Sequence, residues 1–195
     1  MKKLDIGIDL DGCAYPFHEA MRRYAIEIGY APSTLPDPGK DPANYANGFY
    51  SSWGWDEAEF EKVFRKGVAD GYIFFDGEPF PGAIETIQAL HRGGHYIHVV
   101  TNRNLGRLAH TNTVNWLEKY NIPFDSLMFV ARKHLLVGLD LMIDDNPQNF
   151  REMQAEGIDV YLYDRPWNQD VDAAEKRITA WLDFELAAYK KAGWK

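Results

Sequence analysis

Two aspartates one residue apart, Asp9 and Asp11, close the apolar run Leu4-Asp5-Ile6-Gly7-Ile8 near the start of the chain. A buried strand ending this way aims its first carboxylate at an electrophile, and the second, one pleat further on, is free to handle a proton. Carboxylates are weak nucleophiles and repel anions, so against a phosphate the pair needs a divalent cation. An oxygen-rich set of this kind suits Mg²⁺, which a few carboxylates and the substrate's own phosphate typically hold. Such a site calls for a further acid and a fixed positive charge elsewhere in the chain.

Both are present. The run Leu139-Asp140-Leu141-Met142-Ile143 ends in the paired carboxylates Asp144 and Asp145, and Lys133 stands just upstream, a flexible point charge able to reach a phosphoryl oxygen. A third run, His95 to Val100, ends in Thr101 followed by Asn102 and Arg103. Three predicted strands thus finish in polar groups, and open α/β sheets bind ligands outside the carboxyl ends of their strands.

The elements that must position these groups follow from periodicity. Helical spacing covers His18 to Ile28, Ala31 to Tyr50 is rich in Pro, Gly, Asn and Asp, and Asp56 with Glu59 three residues on predicts a capped helix to Val68. This makes an insert far longer than an ordinary connection, and it is expected to be a lid. Beyond Pro81 helices over 82–92, 106–120, 147–156 and 170–190 alternate with strands over 95–100, 126–130, 139–143 and 158–163. That order is expected of right-handed βαβ units. In the last helix Ile178, Trp181, Leu182 and Leu186 form the expected apolar stripe.

The four motifs in order, Asp9/Asp11, Thr101, Lys133 and Asp144/Asp145, resemble those of the haloacid dehalogenase (HAD) superfamily of phosphohydrolases. Ile73 to Ala83, Asp140 to Pro147 and Asp164-Arg165-Pro166-Trp167-Asn168 are similar to the 5'(3')-deoxyribonucleotidase branch, with Thr101-Asn102-Arg103 departing from the second motif of its animal members. The resemblance implies an α/β fold, a three-layer Rossmann-like parallel sheet with a small, mainly helical cap inserted after the first strand. Residues 1–14 and 78–195 would form the core and 15–77 the cap. It also implies that Asp9 attacks phosphorus and that Asp11 serves as acid and then base. Mg²⁺ would lie between Asp9, the Asp11 carbonyl and Asp145, with Asp144 in support. Thr101 and the amides after it would grip the phosphoryl oxygens at the start of the next helix, and Lys133 would neutralise the transferring group. Phe17 occupies the family's position for an aromatic under the base, and Asn102 and Arg103 are further substrate-binding candidates. For Arg103 a substrate clamp and a surface residue at a helix start are both open readings.

Selectivity is expected from the insert, where Phe17, Tyr45, Phe49, Tyr50, Trp53, Trp55, Tyr72, Phe74 and Phe75 give aromatic faces suited to a nucleobase or to a small core. The histidines lack metal-ligand spacing, Cys13 reads as small packing, and the roles of Arg165 and Trp167 stay open.

At 195 residues and 46% hydrophobic content the chain can bury one substantial core plus an accessory lobe. No window approaches a membrane span, no leader pattern is visible, and the single cysteine fits a reducing compartment, so a soluble cytoplasmic protein is expected. The net charge of −8 weighs against a broad nucleic-acid footprint. The expected partner is a small phosphate monoester, foremost a (deoxy)nucleoside monophosphate, and a homodimer stays open. Competing readings are a nucleic-acid end phosphatase like that of polynucleotide kinases, a HAD phosphatase of another small ester, and a binding module that retains the fold.

Overall fold

The computed structural model describes residues 2–36 and 49–194. Six strands, β1 (Asp5–Ile8), β2 (Tyr96–Thr101), β3 (Ser126–Phe129), β4 (Leu141–Asp144), β5 (Val160–Tyr163) and β6 (Arg177–Ile178), form one sheet in the order β3-β2-β1-β4-β5-β6. Every neighbouring pair is parallel. A parallel sheet is covered on both faces, and the alternation of side chains divides its core in two. Ile97, Val99, Leu141 and Ile143 join one apolar cluster with Trp116 and Phe184, whereas Val100, Met142 and Leu162 join another with Phe150 and Met153. Helices α3 (Ala83–Arg92), α4 (Arg107–Lys119) and α6 (Trp181–Ala192) contribute to the first, and α5 (Pro147–Ala155) covers the second. The result is the expected helix, sheet and helix layering.

Between β1 and α3 the chain forms α1 (Phe17–Glu27), a 3₁₀ turn (Phe49–Trp53) and α2 (Glu57–Ala69). Asp56 caps α2 by accepting from the Glu59 amide, with the Glu59 side chain returning to the Asp56 amide, as their spacing predicts. Met21, Tyr24, Val63 and Val68 from this insert continue the first apolar cluster. Asn112 of α4 fixes the return of the chain by donating to the Val68 and Ile73 carbonyls, both at 3.0 Å. Tyr45, with part of the stretch expected to be irregular, lies outside the described residues.

One expected element is corrected. The helix predicted over 170–190 begins only at Trp181, and the stretch before it holds a 3₁₀ turn (Ala174–Lys176) and β6. The Arg177 guanidinium donates to Asp164, to the Asn168 side chain and to the Asn168 and Val171 carbonyls. Backbone acceptors that a helix would use are thereby taken by a side chain, and the loop folds back to pair with β5. The apolar stripe changes accordingly. Trp181, Phe184, Ala188 and Ala192 are buried, whereas Leu182 and Leu186 are 60% and 58% exposed and Ile178 belongs to β6. The strands expected from 139 and 158 start at Leu141 and Val160; before the first of these, the Asp140 carboxylate accepts from the Asp5 amide at the amino ends of β1 and β4. Among the described residues no helix is long and apolar enough to cross a membrane.

Candidate active site

The strand order reverses between β1 and β4, and the carboxyl ends of those two strands carry the acids. Asp9 follows β1 directly, its amide donating to the Ile143 carbonyl of β4 at 3.1 Å. One oxygen, Asp9 Oδ1, accepts from the Leu10 amide at 2.8 Å and from Lys133 Nζ at 2.6 Å. Lys133, buried in a 3₁₀ turn (Lys133–Leu135), also meets Asp144 Oδ2 at 2.8 Å.

The adjacent acids are used differently. Asp144 is fully buried and accepts from Lys133, from the Asn146 amide and from Asn149 Nδ2. Asp145 faces Asp9 instead, and ligand atoms of Asp9, Cys13 and Asp145 all lie within 4.8 Å of one another. Its Oδ2 accepts from Trp167 Nε1 at 2.8 Å, and its carbonyl from Asn168 Nδ2 at 2.8 Å. Gly12 lets the loop pass this carboxylate: at φ +81° it adopts a left-handed conformation, and a Cβ there would collide with the Asp145 side chain. The Gly12 carbonyl accepts from Arg165 Nε at 2.6 Å, and the Arg165 guanidinium lies 3.7 Å from the Phe80 ring centre.

Electrostatics follow from this crowding. Burial pushes Asp9 up to about 7; Lys133 opposes the rise, and Asp144 and Asp11 add to it. Burial, with Asp9 and Asp144 close by, also holds Asp145 well above the usual carboxylate range. Desolvation would discharge Lys133, but Asp144 and Asp9 outweigh it and raise its pKa. Burial and the same acids keep the Cys13 thiol protonated.

Asp11 has a separate environment, paired with the fully buried Arg103 through Nε at 3.0 Å and NH2 at 2.8 Å. The reading of Arg103 as a surface residue is therefore overturned. Thr101 ends β2 with no exposure, and among the described residues its hydroxyl has no hydrogen-bond partner. Because α4 starts at Arg107, the amides directly after Thr101 belong to a loop rather than to the expected helix start.

A cavity of about 550 Å³ opens over these groups. Asp9, Asp11 and Asp145 line its floor, Asn102 and Arg132 its side, and Phe17, Phe60, Phe64 and Phe74 its aromatic wall. The Phe17 ring stacks with Phe74 at 5.9 Å and meets Phe64 edge-on at 5.4 Å. Of the other expected aromatics, Trp53 and Trp55 pack on each other and Tyr72 on Tyr24. Sequence reasoning missed Phe60 and Phe64, although their spacing of four on α2 puts them on one helix face. It also missed His18, which lines the cavity and lies 4.1 Å from Trp167 between ring centres. Burial and Arg165 lower its pKa to about 3, so this imidazole is neutral.

Comparison with known proteins places this geometry. A provisional 5'(3')-deoxyribonucleotidase of Chlorobaculum tepidum is 29% identical over 184 residues, 91% of this chain and 86% of the relative. A predicted phosphatase of Clostridium acetobutylicum superposes with a TM-score of 0.68 at 12% identity, covering 97% and 100% of the two chains. A HAD-type hydrolase of Bacillus subtilis, crystallised with magnesium, gives 0.60 at 14% identity over 95% and 99%. The family model described as 5' nucleotidase, deoxy (pyrimidine), cytosolic type C matches residues 3–191, and the chain belongs to that family of HAD-fold phosphoric monoester hydrolases.

Proposed function

We propose that the protein hydrolyses nucleoside monophosphates, deoxynucleotides foremost, through an aspartyl-phosphate on Asp9, with residues 15–77 acting as a cap over a core of 1–14 and 78–195. The observation that carries this reading is the unequal treatment of the two motif aspartates. Asp9 is held by Lys133 beside Asp145, whereas Asp11 is held apart by Arg103. Two carboxylates in different surroundings suit two roles: a cation bound beside Asp145 would return Asp9 to its ionised, nucleophilic form, and Asp11, outside that cluster, is left for proton transfer.

The donor set fits a hard divalent cation. Lys133 pairs with two of the three buried carboxylates, Asp9 and Asp144, and Asp144 is further occupied by the Asn146 amide, which favours Asp145 as the ligand beside Asp9. Magnesium, reported in the Bacillus subtilis hydrolase, would be held by Asp9, Asp145 and the Asp11 carbonyl, where it neutralises the acids and polarises the phosphoryl group. Thr101 lies beneath the cavity, next to the lining residue Asn102, and its hydroxyl lacks a protein partner among the described residues, so a small opening of the loop after β2 would offer it to a phosphoryl oxygen.

In the first step the Asp9 carboxylate forms a bond to phosphorus as the ester P–O bond breaks, and protonated Asp11 gives its proton to the departing oxygen. In the second, Asp11 takes a proton from water, whose oxygen attacks phosphorus and releases inorganic phosphate and the Asp9 carboxylate. Lys133 offsets charge on Asp9 and the transferring group throughout. The cavity falls within the range for small-ligand sites, and its aromatic wall offers a stacking surface for a base. The test is a panel of deoxynucleoside and ribonucleoside 5'- and 3'-monophosphates, a 3'-phosphorylated oligonucleotide and small sugar phosphates, assayed with Mg²⁺. Preferential mononucleotide turnover supports the reading; preference for the oligonucleotide end or a sugar phosphate overturns it.

A further inference from the structure

The Arg103 side chain is fully buried, yet it is absent from the residues lining the cavity. Its donors go to protein: Nε and NH2 to the two oxygens of Asp11, and NH1 to Thr113 Oγ1 at 3.1 Å. Thr113 in turn donates to the Ala109 carbonyl within α4, so the far end of the guanidinium is anchored to a helix. Its faces are held as well, since the guanidinium carbon lies 4.6 Å from the Tyr15 ring centre and 4.3 Å from that of Phe74.

The two rings are themselves locked together. Tyr15 Oη accepts from the Phe74 amide at 2.9 Å and donates to the Asp76 carbonyl at 2.7 Å. Phe74 holds φ at +71°, a conformation that bulky residues rarely adopt without surrounding constraint. A planar cation fixed at its edge and faces presents two parallel N–H groups in one direction, and a carboxylate docked on that fork cannot rotate freely. Asp11 is still 27% exposed, so its open side faces the cavity while its orientation is set from behind.

We infer that Arg103 is a positioning residue for proton transfer: it touches no substrate and acts by aiming Asp11 at the leaving oxygen and then at the attacking water. This rests on the proposed role of Asp11 as acid and base. A residue that only aims the acid should matter most where the leaving group needs a proton. A nucleotide leaves as an alkoxide, which needs one, whereas p-nitrophenolate is stable without it.

The test compares wild type, Arg103→Met, Arg103→Lys and Asp11→Asn on a deoxynucleoside 5'-monophosphate and on p-nitrophenyl phosphate, with circular dichroism and Tm to verify folding. Arg103→Met should lose about 100-fold more kcat/KM on the nucleotide than on p-nitrophenyl phosphate. Arg103→Lys, keeping charge but not the fork, should fall between it and wild type, and it carries the test if the Met variant fails to fold. With p-nitrophenyl phosphate the Arg103 variants should release a rapid burst of p-nitrophenol near one equivalent of enzyme, then turn over slowly, because water activation also needs Asp11. Equal losses on both substrates with a rise in KM would make Arg103 a substrate contact and overturn the inference. Wild-type rates on both would reduce it to packing and also overturn it. The Asp11→Asn control separates the two levels: if that variant lacks the leaving-group effect, the role of Asp11 is wrong, whereas an effect there but not in the Arg103 variants condemns only the inference.

Discussion

The floor of the cavity and its aromatic wall are built on opposite principles. On the floor, charged groups are fixed by short directed bonds: Lys133 between Asp9 and Asp144, Arg103 on Asp11, Trp167 on Asp145. On the wall Phe17, Phe60, Phe64 and Phe74 meet through ring contacts centred 5.4 to 5.9 Å apart. Ring contacts are weakly directional and tolerate a shift that would break a hydrogen bond. The contrast suits a division of labour, with reaction geometry set below and ligand choice above.

Asp9→Asn strikes the floor hardest. It keeps the shape and removes the nucleophile, so nucleotide turnover should fall on the order of 10⁴-fold or more with the circular dichroism spectrum unchanged. A folded variant that retains most activity would remove the distinction between floor and wall. Chelation should likewise stop turnover and Mg²⁺ restore it, with Asp145→Ala unable to respond at ordinary concentrations. Trp167→Phe, which removes the donor to Asp145 along with part of a buried ring, should raise the Mg²⁺ needed for half-maximal rate by about 10-fold. An unchanged Mg²⁺ titration in Asp145→Ala would show that Asp145 is not the ligand, and one in Trp167→Phe that its hydrogen bond does not tune the site.

The wall is tested by Phe17→Ala, which should cost about 1–3 kcal/mol of nucleotide affinity by competition binding while changing p-nitrophenyl phosphate turnover much less. Equal losses would mean that Phe17 supports the Asp9 loop, and the two regions would merge.

A smaller effect sharpens the electrostatics of the floor. Asp9 is raised from 3.8 to about 7, so ionising it opposes folding. The stability linked to its proton is present below the unfolded value and is lost as pH climbs toward 7. In metal-free protein Asp9→Asn should therefore be more stable than wild type near pH 7.5, by about 4 kcal/mol, with the gap closing by pH 4. Urea titrations at the two pH values measure it, and Mg²⁺ should narrow the gap at the higher pH. A constant difference across the range would mean that Asp9 is charged throughout.

The floor was also more legible in the sequence than the wall. Asp9, Thr101 and Asp144 each end or follow an apolar run, and such runs specify buried strands whose carboxyl ends must converge. Arg103, Arg165 and Trp167 were ambiguous because what they touch, Asp11, Gly12 and Asp145, is distant in sequence and joined only by the fold. On the wall, composition marked the insert as aromatic but could not separate Phe60 and Phe64, which line the cavity, from Trp53 and Trp55, which pack on each other. The predicted long terminal helix failed for a related reason: the side-chain bonds of Arg177 reach back to Asp164 and override local preference.

The central place of β1 has a consequence for synthesis on the ribosome. Ile6 is paired with Ile97 on one side and with Leu141 on the other. At about 5–20 residues per second the nascent chain carries the first strand, apolar and unpaired, for on the order of ten seconds before either neighbour exists. Only the helices of the insert and α3 can gather around it meanwhile. A chain that stops short of Asp145 holds Asp9 without the strand beside it, so premature termination should yield an adhesive fragment rather than a weakened enzyme.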